Sequence, residues 1–207
     1  MFLKGLLNRN LMNSIEAANI LLDSKYFSEM LQDICHLIVD QYRKGGRLYI
    51  AGNGGSAADA QHLAAEFVSK LARDRSPLPA EALTVDSSIL TAIGNDYGYE
   101  KIFSRQLDAK AGCHDIFLGI TTSGNSLNII EALVTCKRKN IPSIVLTGYQ
   151  GGKVRDLADY CLIVPGKYTS TIQEMHIIIY HTLCEAVEAA LFDKQEVTFH
   201  ESINLVE

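Results

Sequence analysis

Two short segments rich in glycine, hydroxyl and amide groups carry the chemistry expected of a phosphate-binding site. The first, residues 51–58 (AGNGGSAA), follows an apolar run and opens a helical pattern. Glycines such as Gly54 let the backbone approach an anion closely, and a helix N-terminus offers unpaired N–H groups. Asn53 adds an amide, and Ser56 is expected both to cap the helix and to donate to a phosphate oxygen. A capped turn without a ligand and a dinucleotide site are the alternatives, but the GxGxxG pattern ends in Ala57 and no strand ends in an acidic residue at the expected distance.

The second segment, residues 121–126 (TTSGNS), follows another apolar run and precedes another helical pattern. Hydroxyl and amide side chains dominate it: Thr121, Thr122, Ser123, Asn125 and Ser126. Neutral donors beside a helix N-terminus suit a phosphate monoester where no cationic clamp is present. A polar turn with a good N-cap also explains one such loop, but two of them in one chain favour a phosphate site.

Histidine and carboxylate side chains indicate a metal site or an acid–base pair. His62 and Glu66 lie four residues apart on the helix predicted after the first segment, so both side chains share one face. This pairing suits a divalent metal ion or proton transfer, although a solvated contact is the commoner explanation for an isolated pair. On the last predicted helix, Gln173 and His181 are eight residues apart and project within about 80° of each other. Both flank the apolar run 177–179 and therefore need polar partners.

Short apolar runs that alternate with helical patterns must position these side chains. The candidate strands are residues 47–51, 82–85, 116–120, 143–147 and 161–164. Apolar periodicity predicts helices over residues 8–43, 56–71, 87–93, 101–111, 126–139 and 171–192. The alternation predicts one α/β domain with a doubly wound, mainly parallel five-stranded sheet flanked by helices, plus N-terminal helices. In such folds ligands bind at the carboxyl ends of the strands, where both polar segments lie.

Size, charge and cysteine content limit the classes of protein that fit. The 207 residues suffice for one domain with its own core, and the formal charge of −5 argues against a nucleic-acid partner. Five scattered cysteines without a CxxC pair predict buried thiols in a reducing compartment. No run reaches the roughly 20 apolar residues of a membrane span, and the N-terminus lacks the apolar run of a signal peptide. We therefore expect a cytoplasmic protein with no membrane partner.

Taken together, the motifs resemble those of the phosphoheptose isomerases, which belong to the sugar isomerase (SIS) domain group. The matching segments are residues 52–56 (GNGGS), His62 with Glu66, residues 94–96 (GND), residues 122–126 (TSGNS), and residues 172–174 (IQE) with His181. The resemblance covers nearly the whole chain, to about residue 192. It implies a single SIS domain over residues 1–207, with residues 1–45 as a helical extension used in oligomerisation and residues 46–195 as the α/β core.

The resemblance also implies roles for individual residues. It implies one zinc ion per subunit, held by His62, Glu66, Gln173 and His181. It implies phosphate contacts from Ser56, Thr121, Ser123 and Ser126, and sugar-chain contacts from Asn53, Asp96 and Thr122, with Gly54 and Gln173 also beside the substrate. For the catalytic acid–base pair we choose Glu66 and His181. Glu174 and His176 are expected to have structural or surface roles.

The implied reaction converts sedoheptulose 7-phosphate to D-glycero-D-manno-heptose 7-phosphate through an enediol, the first step of bacterial heptose precursor synthesis. The implied assembly is a homotetramer with active sites at subunit interfaces. The alternative is a non-catalytic SIS protein, either a protein-binding regulator of the replication-initiation type or a sugar-phosphate sensor. Such regulators lack equivalents of Glu66 and His181, which this chain has. Lys70 and the pair Ser170-Thr171 depart from the family pattern, so no substrate contact is carried over from the latter segment.

Overall fold

The computed structural model describes residues 2–193, so the outer ends of the predicted ranges 1–207 and 46–195 lie outside the described residues. The strands are β1 (Leu48–Gly52), β2 (Ala80–Ala82), β3 (Ile116–Thr121), β4 (Ser143–Thr147) and β5 (Tyr160–Ile163). The helices are α1 (Phe2–Leu22), α2 (Lys25–Arg43), α3 (Gly55–Val68), α4 (Ser87–Tyr97), α5 (Ser104–Lys110), α6 (Leu127–Lys139) and α7 (Thr169–Phe192). Short 3₁₀ turns span Tyr99–Lys101 and Gly152–Asp156.

The five strands form one parallel sheet in the order β2-β1-β3-β4-β5. Strand β3 is central, and β1 beside it pairs with β2 on one side and with β3 along its full length on the other. Helices pack on both faces of the sheet, and each face has its own apolar core. The prediction of one doubly wound α/β domain with a five-stranded sheet is confirmed, and every strand pair is parallel.

Side chains of each strand alternate between the two cores. Leu48 and Ile50 of β1 point into the core shared with α2, α3 and α7, whereas Tyr49 and Ala51 point into the core shared with α5 and α6. All five residues of β1 are buried, as expected for a strand covered on both faces. Helix α2 contributes Ile34 and other buried side chains to the first core.

Several predicted element boundaries were wrong: the first helix begins at Phe2, α3 ends at Val68 and α4 runs on to Tyr97. In three further cases a local cap or turn explains the difference. Strand β2 occupies residues 80–82 rather than 82–85, because Asp86 caps α4 by accepting from the backbone N–H of Ile89. The long N-terminal helix is two helices, because Ser24 accepts from the N–H of Phe27 and starts α2. The predicted helix 101–111 begins as a separate 3₁₀ turn before α5.

Helix α7 corrects the expectation that no segment resembles a membrane span. Its 24 residues are long and apolar enough to cross a membrane by length and composition alone. In this fold α7 lies against α1, α2 and α3 and supplies a large part of the first core. Burial against protein therefore accounts for its apolar character.

The five cysteines are free thiols, and their environments differ. Cys35, Cys136 and Cys184 are buried, as expected, and burial raises the pKa of each thiol, to about 11 for Cys35. Cys113 is exposed, contrary to the general expectation of buried thiols, because it lies in the turn between α5 and β3.

Candidate functional site

The two polar loops lie on either side of the point where the strand order reverses. The connection that leaves β1 forms α3 on one face of the sheet, and the connection that leaves β3 forms α6 on the other. The carboxyl ends of two such strands diverge and leave a crevice between them. The loops that follow β1 and β3 therefore face each other across the position where parallel sheets bind ligands.

The side chain of Asn53 spans this crevice. Its Nδ2 atom donates to Oδ1 of Asn128 at 2.9 Å, and Nδ2 of Asn128 donates back to Oδ1 of Asn53 at 2.8 Å. The hydroxyl of Tyr99 donates to the same Oδ1 of Asn53 at 2.9 Å. Asn128 is buried and the two amide bonds are partly buried, whereas the bond from Tyr99 is exposed. Together these bonds fix both loops relative to each other.

The loop after β1 leads into α3 through Gly54, whose φ of 58° is in the left-handed region that favours glycine. Ser56 lies inside the first turn and makes no side-chain cap bond, so the expectation that its hydroxyl caps α3 was wrong. The reason is that α3 begins at Gly55, so the cap position falls on Gly54, two residues before Ser56. Ser56 is buried, and the N–H groups of Ser56 and Ala57 donate to the carbonyls of Asn53 and Gly54. The positive end of the α3 dipole is nevertheless favourable for an anion at this helix end.

The loop after β3 is held by hydroxyl contacts. Oγ1 of Thr121 lies 2.9 Å from Oγ of Ser126, and Oγ of Ser123 accepts from the N–H of Asn125 at 3.2 Å. The carbonyl of Thr122 accepts from the N–H of Gly148, which joins this loop to the end of β4. Ser126 is the N-cap of α6 and makes no side-chain cap bond. Because α6 begins directly after this loop, its N-terminus is the second helix N-terminus that faces the crevice.

One cluster brings together three of the predicted metal ligands. The ligand atoms of His62, Glu66 and His181 all lie within 4.8 Å of one another. Nε2 of His62 is 2.9 Å from Oε1 of Glu66, and the ring centroids of His62 and His181 are 5.0 Å apart. Helix α3 supplies the first two residues at i, i+4 spacing, and the packing of α7 on α3 brings the third.

The fourth predicted ligand, Gln173, lies two turns before His181 on α7, at the start of α3. A Cβ atom added to Gly55 would come within 2.4 Å of Nε2 of Gln173. The absence of a side chain at Gly55 therefore leaves the space that the amide of Gln173 occupies. This contact places Gln173 beside the glycine loop.

Two residues that the sequence analysis did not single out surround the histidines. The hydroxyl of Tyr180 lies 3.1 Å from Nδ1 of His62 and fixes the ring orientation, so that Nε2 faces Glu66. Asp59 lies one turn before His62 on α3. Burial raises the pKa of Asp59, while His62 and the Tyr180 hydroxyl counteract it. Burial also raises the pKa of Tyr180, and the charges of Asp59 and Glu66 add to this.

The donor set fits a divalent transition metal ion. Nε2 of His181 is buried and has no hydrogen-bond partner within residues 2–193. A buried nitrogen without a partner is costly unless a ligand satisfies it. Two imidazoles and a carboxylate within one cluster are ligands that zinc and similar ions accept.

The structure places the remaining candidates outside this cluster. Asp96 is exposed at the end of α4 and accepts from Nδ2 of Asn95 at 2.8 Å. Lys70 is exposed and lies 3.7 Å from Asp74. Glu174 bonds to the hydroxyl of Ser14 and so links α7 to α1. His176 is fully buried.

Tyr99, Asn128, Asp59 and Tyr180 were missed by the sequence analysis. Asp59 carried a weak signal, because its spacing of three from His62 places both on one helix face. A tyrosine within the apolar α7 is typical of a core residue, and Asn128 follows the loop that was singled out. The hydrogen bonds of Tyr99, Asn128 and Tyr180 join residues that are 46, 75 and 118 positions apart, so no local spacing predicts them.

Comparison with known proteins identifies the family. The SIS domain family model matches residues 16–148. The chain is similar to a phosphoheptose isomerase of Aneurinibacillus thermoaerophilus, with 50% identity over 189 residues that cover 91% of this chain and 96% of the relative. Among solved structures it is similar to a phosphoheptose isomerase of Francisella tularensis (TM-score 0.86, 34% identity, covering 90% of this chain and 98% of that one). The corresponding enzyme of Neisseria gonorrhoeae has a TM-score of 0.79 and 38% identity, with 90% and 97% covered. The chain therefore belongs to the phosphoheptose isomerase family of SIS-domain proteins.

Proposed function

We propose that this chain is an aldose–ketose isomerase that converts sedoheptulose 7-phosphate to D-glycero-D-manno-heptose 7-phosphate. The observation that carries the proposal is the cluster of His62, Glu66 and His181 beside two phosphate-type loops at the strand switch point. The family relatives are named for this class of reaction.

The phosphate group is proposed to bind at the two loops. Two helix N-termini, those of α3 and α6, face the crevice, and the positive ends of their dipoles favour a phosphate there. Ser56, Thr121, Ser123 and Ser126 are the proposed hydroxyl contacts. The sugar chain is proposed to run past Asn53 and Thr122 toward the histidine cluster, with Asp96 as a further contact.

The acid–base work falls to Glu66 and His181. Isomerisation moves one proton between neighbouring carbons through an enediol, while a second proton moves between the two oxygens, so a base and an acid are needed. Glu66 is proposed to transfer the carbon-bound proton between C1 and C2. His181 is proposed to act as its partner on the other side of the substrate. The contact of Glu66 with His62 restrains its carboxylate.

A zinc ion, one per subunit, is proposed on His62, Glu66, Gln173 and His181. When bound, a divalent ion polarises carbonyl and hydroxyl oxygens and stabilises the negative charge that develops on them. The bond of Tyr180 to Nδ1 of His62 leaves the other ring nitrogen free to bind the ion.

Two observations support a homotetramer with active sites at subunit interfaces. Helix α1 buries only Ala17 and exposes large apolar side chains along its length, from Phe2 (82%) to Leu22 (83%). Exposed apolar surface on this scale is typical of an interaction surface. The side chain of His62 is 48% exposed, which leaves the site open on one side. Light scattering of the purified protein tests this assembly, and a monomer at micromolar concentration contradicts it.

We place the reaction in the cytoplasm, as the first step of heptose precursor synthesis. The alternative, a non-catalytic SIS protein that binds a protein partner or senses a sugar phosphate, makes no use of Glu66 and His181 as an acid–base pair. Glu66 and His181 lie in one cluster with His62, and this arrangement favours the enzyme over the non-catalytic alternative.

The deciding experiment is an NMR assay of sedoheptulose 7-phosphate conversion by the purified protein, before and after chelation and zinc return. Turnover that falls on chelation and recovers with zinc supports the reaction and the metal together. No turnover by a folded, zinc-supplied protein contradicts the proposal and favours the binding alternative.

A further inference from the structure

A buried ion pair joins the segment after α3, the helix that carries Glu66, to α7, the helix that carries His181. The side chains of Arg75 and Glu188 are 1% and 0% exposed, and Nη2 of Arg75 lies 2.8 Å from Oε1 of Glu188. Nε of Arg75 donates to the same oxygen at 2.9 Å. The reaction proposed above uses neither residue.

Arg75 also binds the carboxyl end of α3. Its guanidinium donates to the carbonyl oxygens of Glu66 at 2.9 Å and Phe67 at 2.7 Å. The last four carbonyls of a helix have no partner within the helix and form the negative end of its dipole, so a buried guanidinium is favourable there. Since one of these carbonyls belongs to Glu66, Arg75 holds the backbone of the proposed catalytic residue directly.

Glu188 anchors the same end of α3 to α7. Its two carboxylate oxygens accept from the N–H groups of Leu71 at 2.9 Å and Ala72 at 3.0 Å. Burial by itself raises the pKa of Glu188, but these N–H groups and the Arg75 guanidinium outweigh burial and lower the pKa. The carboxylate therefore stays charged. Glu188 follows His181 by seven residues, which is two turns along the same face of α7.

We propose that Arg75 and Glu188 are positioning residues whose ion pair sets the distance between Glu66 on α3 and His181 on α7. The inference rests on the function proposed above, because that function requires both side chains to act on one ion and one substrate. A buried ion pair contributes little net stability compared with apolar residues of similar size. Its role here is geometric. It gives hydrogen-bond partners to the backbone groups at the end of α3 and fixes that end against α7, the helix that carries His181.

The test separates positioning from stability through an apolar replacement of the pair. The double variant Arg75→Met with Glu188→Leu is expected to fold, since such replacements are often neutral or stabilising. The readout is a Co²⁺ titration by visible absorption, which does not depend on turnover. We expect Co²⁺ affinity to fall about 10- to 100-fold, the usual effect of removing outer-shell support from a metal site. We expect kcat to fall by a similar factor, with a smaller change in KM.

Two further variants complete the design. The partly exposed pair Arg73 and Asp193 lies at the same end of α3 and α7. Arg73→Met with Asp193→Asn therefore serves as the matched control and should keep wild-type affinity. Arg75→Lys keeps the charge but donates to fewer carbonyls, so its Co²⁺ affinity should lie between those of the wild type and the double variant. If the double variant does not fold, Glu188→Gln, which keeps the shape and removes the charge, replaces it in the titration.

A folded double variant that binds Co²⁺ within twofold of the wild type overturns the inference. A wild-type protein that binds no Co²⁺ overturns it as well, because there is then no metal site to position. Loss of Co²⁺ affinity in a protein that does not turn over sedoheptulose 7-phosphate upholds the inference and contradicts only the proposed function.

Discussion

Asn53 and Asn128 bond to each other through both side-chain amides, and this closed pair joins the loop after β1 to the first turn of α6. Each amide uses a donor and an acceptor in the pair, and Asn53 accepts a further bond from Tyr99. The two loops proposed to bind phosphate are therefore held at a fixed separation by one residue of the first loop and one residue of the first turn of α6.

Replacing Asn128 with Leu should loosen the phosphate loops. The substitution removes two hydrogen bonds and leaves the Asn53 amide partly unpaired, so we expect a loss of about 2 kcal/mol in the free energy of unfolding. KM for the sugar phosphate should rise about tenfold, which corresponds to a loss of about 1.4 kcal/mol in binding free energy when the loops are misplaced. Urea denaturation and steady-state kinetics measure both effects. The exposed Asn140→Gly at the end of α6 is the control, because glycine tolerates the left-handed φ of 54° at this position. Equal KM values in Asn128→Leu and wild type would contradict the role of the pair.

Loss of the proposed acid–base pair should abolish turnover without unfolding the protein. Glu66→Gln keeps the size and contacts of the side chain but removes its basicity, and His181→Ala removes the partner. General acid–base groups contribute typically 10²- to 10⁴-fold, so kcat should fall by at least about 100-fold in each variant. The control Glu185→Gln changes an exposed glutamate on α7 and should retain wild-type kcat. An active Glu66→Gln enzyme would rule out the proposed role of this carboxylate.

A single methyl group at Gly55 should disturb Gln173. The added Cβ would lie 2.4 Å from Nε2 of Gln173, and the side chain must move away because it is the flexible partner. We expect weaker zinc binding and a fall in kcat of about tenfold or more in Gly55→Ala, with little change in melting temperature. Gly5→Ala is the matched helical control: its Cβ meets nothing within 4 Å and should stabilise the helix by about 0.5–1 kcal/mol. Zinc affinity equal to that of the wild type in Gly55→Ala would show that Gln173 is not a ligand.

His176 should make the protein less stable in mild acid. Burial lowers its pKa to about 4, whereas the unfolded chain titrates near the ordinary value of about 6.5. The unfolded state therefore binds the proton first, and stability is lost as the pH falls from about 6.5 to about 4, by about 3 kcal/mol in total. The free energy of unfolding at pH 7 and pH 4.5 should differ less in His176→Leu than in the wild type.

The exposed His114 provides the control for this pH dependence. His114→Gln should lose stability between pH 7 and pH 4.5 to the same extent as the wild type, because it leaves the buried His176 in place. Parallel losses in His176→Leu and the wild type would show that His176 does not carry the effect.

Much of this protein could be predicted from its sequence, because the relevant physics is local. Apolar runs alternating with helical spacing indicated the parallel sheet, and four of the five strands were predicted within one or two residues. The polar loops 51–58 and 121–126 lie at the carboxyl ends of β1 and β3, as strand–helix alternation requires. The i, i+4 spacing of His62 and Glu66 placed both on one face of α3.

Only the tertiary structure decided which distant residues complete the site. His181 comes within reach of His62 because α7 packs on α3, and Tyr180 and Asn128 make contacts across 118 and 75 positions of sequence. The burial of Arg75 and Glu188 likewise follows from packing. Helical periodicity fixes which residues share a face, but the partner of that face depends on how apolar surfaces from the whole chain pack together, and no spacing within one segment encodes that choice.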